Sequence, residues 1–218
     1  MNLPHLKHTL NLKKINPKLI LILLLSFLIP FLFIFNLDCD KCIIQSDPTE
    51  SALLFFCIIP LLIIVFIFRE HPIEFGFSFG DKKKVLIYSI IFSIFLIPLI
   101  FLSQYFPGVL SYYSTNTFTN IFDLLLFELK LGIGLFSWEF FFRGFALFGL
   151  YKKIGNLALP IHAIPFAIFH LGKPNIEVIF SFFAALLLGQ IALKSKSFLP
   201  AFVIHWILAT EMLLLTNF

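Results

Sequence analysis

Charge is what this chain has least of. Only 13% of its 218 residues are Asp, Glu, Lys or Arg, and its mean hydropathy is +1.00. A soluble domain carries about 25% charged residues. So few charges cannot coat a water-facing surface, and most of the perimeter must face lipid. The apolar runs are long and continuous, without the alternation that a membrane β-barrel requires. Helices are the remaining way to satisfy the backbone across a bilayer. A net charge of +4 would suit a nucleic-acid partner. However, the basic residues sit in short clusters at the ends of apolar runs, which is the pattern of topology signals. Phenylalanine, by contrast, is abundant at 32 residues, and suits lipid-facing helix surfaces.

Seven apolar segments stand out, at 19–37, 51–68, 85–105, 123–150, 157–171, 176–193 and 198–216. At ~20 residues per span, about six to eight spans fill the chain and leave no room for a separate soluble domain. The predicted fold is all-α, a polytopic transmembrane helix bundle of about seven spans, with 1–218 as one membrane domain. The fifth segment is short, so it is tilted or partly re-entrant. The fourth exceeds one span and carries Asp123, Glu128 and Lys130 near its start. If the spans alternate, Lys7, Lys13, Lys14, Lys18, Arg69, Lys82, Lys83, Lys84, Lys152, Lys153, Lys194 and Lys196 all fall on one side. The opposite loops hold Lys41 and Lys173. The excess of basic residues marks the cytoplasmic side. Residues 1–18 are then a cytoplasmic basic arm, and the C-terminus lies outside. The first span is too long for a signal h-region and lacks a small-residue cleavage site before Asp38, so it is read as a retained anchor.

Cysteine is also sparse. Cys39 and Cys42 form a C-x-x-C in the first outer loop, beside Asp38 and Asp40. No second C-x-x-C or nearby histidine completes a metal site, and no βαβ pattern supports a redox motif. A disulfide or two thiols is the simpler reading. Cys57 lies in an apolar run and reads as a packing residue. The stretch Phe75 to Lys84 reads as a cytoplasmic linker, with Gly76, Gly80 and Asp81 suited to turns.

A charge at the bilayer centre costs about 2.5–3.5 kcal/mol on insertion scales. Ionisable residues at membrane depth therefore point to a protein interior or a wet cavity. Glu139, Arg143, His162, His170, His205 and Glu211 are such residues. Glu139 and Arg143 are four apart and share a helix face. Taken alone, they could be a self-neutralising pair. Glu128 precedes Glu139 by eleven residues, close to three turns of ~3.6 residues, and falls on nearly the same face. Gly132 lies on that stripe and would let a neighbouring helix approach closely. A lone membrane histidine is commonly a hydrogen-bonded packing residue. Two of them with a Glu and an Arg, on three spans, favour a site, because buried polar groups must find partners. Their depths match only if the fifth span is tilted or re-entrant.

Peptide hydrolysis needs an activated water, a proton carrier and oxyanion stabilisation. Glu can act as general base, His can share the proton work, and Arg can orient the carboxylate. One Glu with two His could instead hold Zn²⁺ with a position left for water. The sequence leaves both routes open. There is no H-E-x-x-H and no G-x-S-x-G.

The stretch Trp138 to Leu150 (WEFFFRGFALFGL), Phe166 to His170 (FAIFH) and His205 in SFLPAFVIHW resemble the CAAX protease and bacteriocin-processing family of intramembrane proteases. Its motifs are E-E-x-x-x-R, F-x-x-x-H and H-x-x-x-N/D on separate membrane helices. The resemblance covers about 120–216, the protease-like core. It implies that Glu139 activates water with support from Arg143, that His170 assists proton transfer or binds the water, and that His205 helps stabilise the oxyanion. No cofactor or metal is implied in the glutamic version, which is favoured here. The metal version would make Glu139, His170 and His205 ligands. Two positions depart from the pattern. The family's first Glu is Trp138, and its last Asn or Asp is Ala209. The segment His170 to Glu177 (HLGKPNIE) looks like a variant in a bacterial branch that pairs Trp-Glu with H-x-G-K-P-x-x-E. There Glu177 could compensate for the missing carboxylate. The competing view is that Glu177 is only an acid in the first turn of a helix, with Asn175 as its N-cap.

The implied function is an intramembrane endopeptidase. It would act on a membrane-anchored or membrane-embedded protein, with the lipid bilayer and a protein substrate as partners and no nucleic acid. The implied location is a bacterial inner membrane. The alternatives are a non-catalytic scaffold or immunity-type factor of the same family, and a proton-coupled carrier. The carrier is weaker because the chain is short and shows no repeat.

Overall fold

The computed structural model describes residues 16–37, 48–114 and 118–217. Cys39, Cys42, Lys41 and most of the basic arm lie outside the described residues. The described residues form helices and no strand. Among the described residues, five helices are long and apolar enough to cross a membrane: α1 (Pro17–Phe35 within Pro17–Leu37), α2 (Pro48–Ile67), α3 (Lys82–Ser103), α7 (Asn175–Ser195) and α8 (Leu199–Asn217). Between them lie the short α4 (Val109–Tyr113), the long α5 at 121–154 and α6 (Ala158–Ile168). These correspond in order to the seven apolar segments, with α4 added in the loop after the third.

Local chemistry sets the helix starts. Asn16 accepts from the Lys18 N–H at 3.0 Å, with Pro17 as the first helical residue. Asp81 accepts from the Lys84 N–H and opens α3. Asn120 accepts from the Asp123 N–H at 3.0 Å and opens α5, with Asp123 in the favoured first turn. At α7 the cap position is Pro174 and carries no side-chain bond, so the expected Asn175 N-cap is not formed.

α5 is an α-helix over Ile121–Glu139, widens to a π-helix over Phe140–Phe148, and ends in an α turn over Gly149–Ile154. At ~1.5 Å per residue it is about 50 Å long, well beyond a ~30 Å hydrocarbon core. Its π-helical stretch is covered by protein, whereas Tyr151, Lys152 and Lys153 near its far end are exposed. Phe75 is fully buried and forms a cluster of mutually near-parallel rings with Phe68 and Phe145. The stretch expected to be a linker is therefore partly core. Its turn positions do behave as read: Gly76 and Gly80 take positive φ. Gly80 also passes so close to α7 that a Cβ would stand 2.2 Å from the Ser195 carbonyl oxygen. The phenylalanines are likewise not confined to the lipid face. Phe140, Phe141, Phe142 and Phe145 are fully buried and form an aromatic core with Phe56 and Phe198.

α6 has 11 residues, about 16 Å of helix, or half a hydrocarbon core. It brings His170 to the level of Trp138, with ring centroids 6.4 Å apart. This removes the depth mismatch expected between His170 and Glu139.

The ends of the bundle are tied by distinct sets of contacts. At one end Glu70 pairs with Lys18 and, at 2.8 Å, with Lys152, which also reaches Glu74 at 2.7 Å. The Asp81 N–H donates to the Ser195 carbonyl there at 2.8 Å. At the other end Tyr113, Lys173, Glu177 and Thr216 meet. The described basic loops thus gather at one end, as alternation of the spans requires.

Slight burial would raise the Glu70 carboxyl, but its hydrogen bonds to Lys152 and Lys18 outweigh that and hold it below the ordinary glutamate range. A carboxylate lowered on folding contributes stability above its unfolded value near ~4.3. That contribution is lost as pH falls through the folded value. The thermal midpoint of the detergent-solubilised protein is therefore expected to drop on acidification below about pH 4.3. Glu70→Gln is expected to flatten that dependence, and equal slopes in parent and variant would refute the assignment.

α5 and α8 pack closely where Gly132 meets Trp206. A Cβ at Gly132 would stand 2.9 Å from Trp206 Cζ2. Gly132→Ala is expected to destabilise by about 1–3 kcal/mol through overpacking, read as a lower thermal midpoint in detergent. An unchanged midpoint would mean that the indole yields without cost.

Candidate active site

The site is centred on Glu139, the last α-helical residue of α5 before the π-helical stretch. Widened turns of this kind often mark functional positions, because they re-aim side chains within one helix. Glu139 and Arg143 are both fully buried. Glu139 Oε1 accepts from Arg143 Nη1 at 3.1 Å and lies 2.6 Å from His205 Nδ1 on α8. A carboxylate only accepts, so His205 Nδ1 carries the proton. Glu139 Oε1 is thus held twice, while Oε2 is buried with no partner among the described residues. The His205 side chain keeps 23% of its exposure, so it is not sealed in as Glu139 and Arg143 are.

α6 supplies the opposite wall. Arg143 Cζ sits 3.9 Å from the Phe166 ring centroid, a cation–π contact that suits a planar guanidinium. Phe166 in turn packs against His170, with centroids 4.5 Å apart. His170 Nδ1 lies 2.8 Å from the Phe166 carbonyl. That bond fixes the proton on Nδ1 and leaves a lone pair on Nε2. The structure therefore joins Glu139, Arg143 and His205 by direct bonds, and links His170 to them through Phe166 and Trp138.

Trp138 packs among Phe56, Phe142, Phe166 and His170. An indole thus occupies the flank beside His170. Glu177 bonds outside the Glu139 cluster. Its Oε1 accepts from Lys173 at 2.5 Å and its Oε2 from the Tyr113 hydroxyl at 2.5 Å. Both oxygens are engaged at the bundle end, next to the His170 turn.

Glu128 lies on the stripe expected for it. Its Oε2 accepts from Trp206 Nε1 at 3.0 Å and from Thr210 Oγ1 at 2.8 Å. It acts as an α5–α8 tie about three turns before Glu139 on α5. Sequence reading named neither Trp206 nor Thr210 as its partners, and gave Tyr113 no role. Among the described residues, no three His, Cys, Asp or Glu side chains are grouped so as to hold a metal ion. Cys57 is buried and unbridged.

Residues 120–210 match the family model described as Type II CAAX prenyl endopeptidase Rce1-like. The matched segment contains Glu139, Arg143, His170 and His205, and the match agrees with the resemblance to the CAAX protease and bacteriocin-processing family. No curated protein and no solved structure matches the chain.

Proposed function

With the Rce1-like match over 120–210 as premise, we propose that this multi-pass membrane protein is an intramembrane endopeptidase of the glutamic type. Its substrate would be a membrane-anchored or membrane-embedded protein. The observation that carries this reading is the asymmetry of Glu139. One oxygen is clamped by Arg143 and His205, and the other is buried and unbonded among the described residues.

In this scheme Glu139 Oε2 takes a proton from a water as that water attacks the scissile carbonyl carbon. The proton then passes to the leaving amine when the C–N bond breaks. Arg143 holds the carboxylate in place by a charge-assisted bond. His170 and His205 each commit Nδ1–H to a neighbour and present Nε2, an acceptor when neutral and a donor when protonated. His170 assists the proton transfer or binds the water, and His205 serves the oxyanion. Trp138 shapes the wall beside His170, and Glu177 supports the turn that carries His170. On the distribution of basic residues, the N-terminus would lie in the cytoplasm and the C-terminus outside, in a bacterial inner membrane.

Trp138 and Ala209, at the two positions where the family carries polar groups, favour a second reading: a non-catalytic relative that keeps the fold. Comparing membrane proteomes with and without Glu139→Gln decides between them. Uncleaved precursors should accumulate if the chain is a protease. An unchanged proteome and phenotype, with the variant present at parental level, would favour the scaffold.

A further inference from the structure

His162 has no part in the scheme above, yet it is fully buried. It lies four residues before Phe166 on α6, and Phe166 carries the Arg143 guanidinium on its ring. The two side chains share the helix face that meets α5. From the other side α7 closes in. A Cβ on Gly189 would stand 2.8 Å from His162 Cε1, 3.1 Å from its Nε2 and 3.1 Å from Leu147 Cδ2. Leu147 is four residues past Arg143 on α5. The imidazole is therefore wedged between α5 and α7, one turn along α5 from Arg143.

The tautomer follows from the hydrogen bonds. His162 Nδ1 lies 2.6 Å from the Leu159 carbonyl oxygen and 3.2 Å from that of Ala158. Carbonyls only accept, so Nδ1 carries the proton and Nε2 holds a lone pair. That Nε2 is buried and has no partner among the described residues. The same is true of Arg143 Nε and Nη2, the guanidinium edge that Glu139 leaves free. An acceptor on His162 and two donors on Arg143, each costly to leave unpaired, are thus buried on two helices that pack against each other. Buried polar atoms that protein groups leave unpaired are commonly joined through ordered water.

We propose that His162 is a positioning residue for the Glu139–Arg143 pair: one buried water donates to His162 Nε2 and accepts from the free edge of the Arg143 guanidinium. The bridge fixes the plane of the guanidinium, and through it the direction of the Glu139 carboxylate. Gly189 gives the imidazole its room. The effect on reaction rate rests on the proteolytic reading, whereas the effect on Arg143 does not.

The test uses the full chain in detergent micelles, labelled with ¹⁵N at His and Arg. His162 should show the neutral Nδ1–H tautomer. His162→Phe removes the acceptor and should shift the Arg143 Nε–H resonance. His162→Gln restores an acceptor and should leave that resonance near its parental position. Cleavage of an accumulated precursor should fall about 10- to 100-fold in His162→Phe, and stay within about threefold of parent in His162→Gln. An unmoved Arg143 resonance in His162→Phe overturns the proposal. So does a His162→Gln variant as impaired as His162→Phe. If Glu139→Gln leaves processing intact, the proteolytic reading fails by itself and the Arg143 resonance still decides the bridge. Where His162→Phe does not accumulate, Gly189→Ala crowds the imidazole without touching Arg143, and it is read by the same resonance.

Discussion

Glu139→Gln is expected to lower the rate of substrate processing by about 10²- to 10⁴-fold, the usual contribution of a positioned general base. The substitution is nearly isosteric and keeps a carbonyl oxygen for Arg143 Nη1 and His205 Nδ1, which now meet at Oε1. What it removes is the ability to take a proton at Oε2. The loss should therefore appear in turnover more than in apparent affinity, as expected of an interaction made in the transition state. The measurement is the conversion rate of a tagged precursor, alongside membrane abundance and the thermal midpoint of the variant. A variant that folds and processes at the parental rate would remove Glu139 from the chemistry. If Glu139→Gln does not accumulate, His170→Gln is the second probe. His170 is 6% exposed and is held through a backbone carbonyl and ring contacts rather than an ion pair.

Arg143→Leu is expected to destabilise the protein by about 3–5 kcal/mol, because it strands a buried carboxylate. Glu139 and Arg143 both have fully buried side chains, and the guanidinium gains as well from the Phe166 face. His205 would be the only remaining side-chain partner of Oε1 among the described residues. Replacing both charges is a different case. A buried pair exchanged for apolar or neutral groups of similar volume is often neutral in stability. Glu139→Gln combined with Arg143→Leu should therefore recover most of the lost thermal midpoint while staying inactive. If the single Arg143→Leu melts with the parent, the carboxylate must be solvated or protonated there, and the clamp has no energetic weight. Arg143→Lys should fall between the two, since a point charge keeps the attraction but loses the planar contact with Phe166.

The parts of the site that lie within one helix were legible from spacing. Glu139 and Arg143 meet because they are four residues apart, and Glu128 and Gly132 fall on the same stripe toward α8. The partners on other helices were not legible. Nothing in the sequence pairs Glu128 with Trp206 and Thr210, or Tyr113 with Glu177, because a hydrogen bond between distant segments leaves no periodic trace. Trp138 stood out only as a departure from a family pattern, and its place against His170 is a matter of packing. The linker reading at 75–84 was incomplete for a related reason. Turn residues mark where the chain bends, but not whether a phenylalanine beside the bend is drawn into the core, as Phe75 is.

The sequence by itself determined the helical membrane class, the order of the apolar segments and the shared end for the basic loops. These follow from local composition, because hydrocarbon demands internal backbone bonding wherever a segment enters it. Only the tertiary structure decided that α5 widens after Glu139, that α6 stops half-way and sets His170 beside Trp138, and that His205 closes on Glu139. Those outcomes depend on which side chains fill the spaces between helices, and close packing is a property of neighbours in space rather than neighbours along the chain.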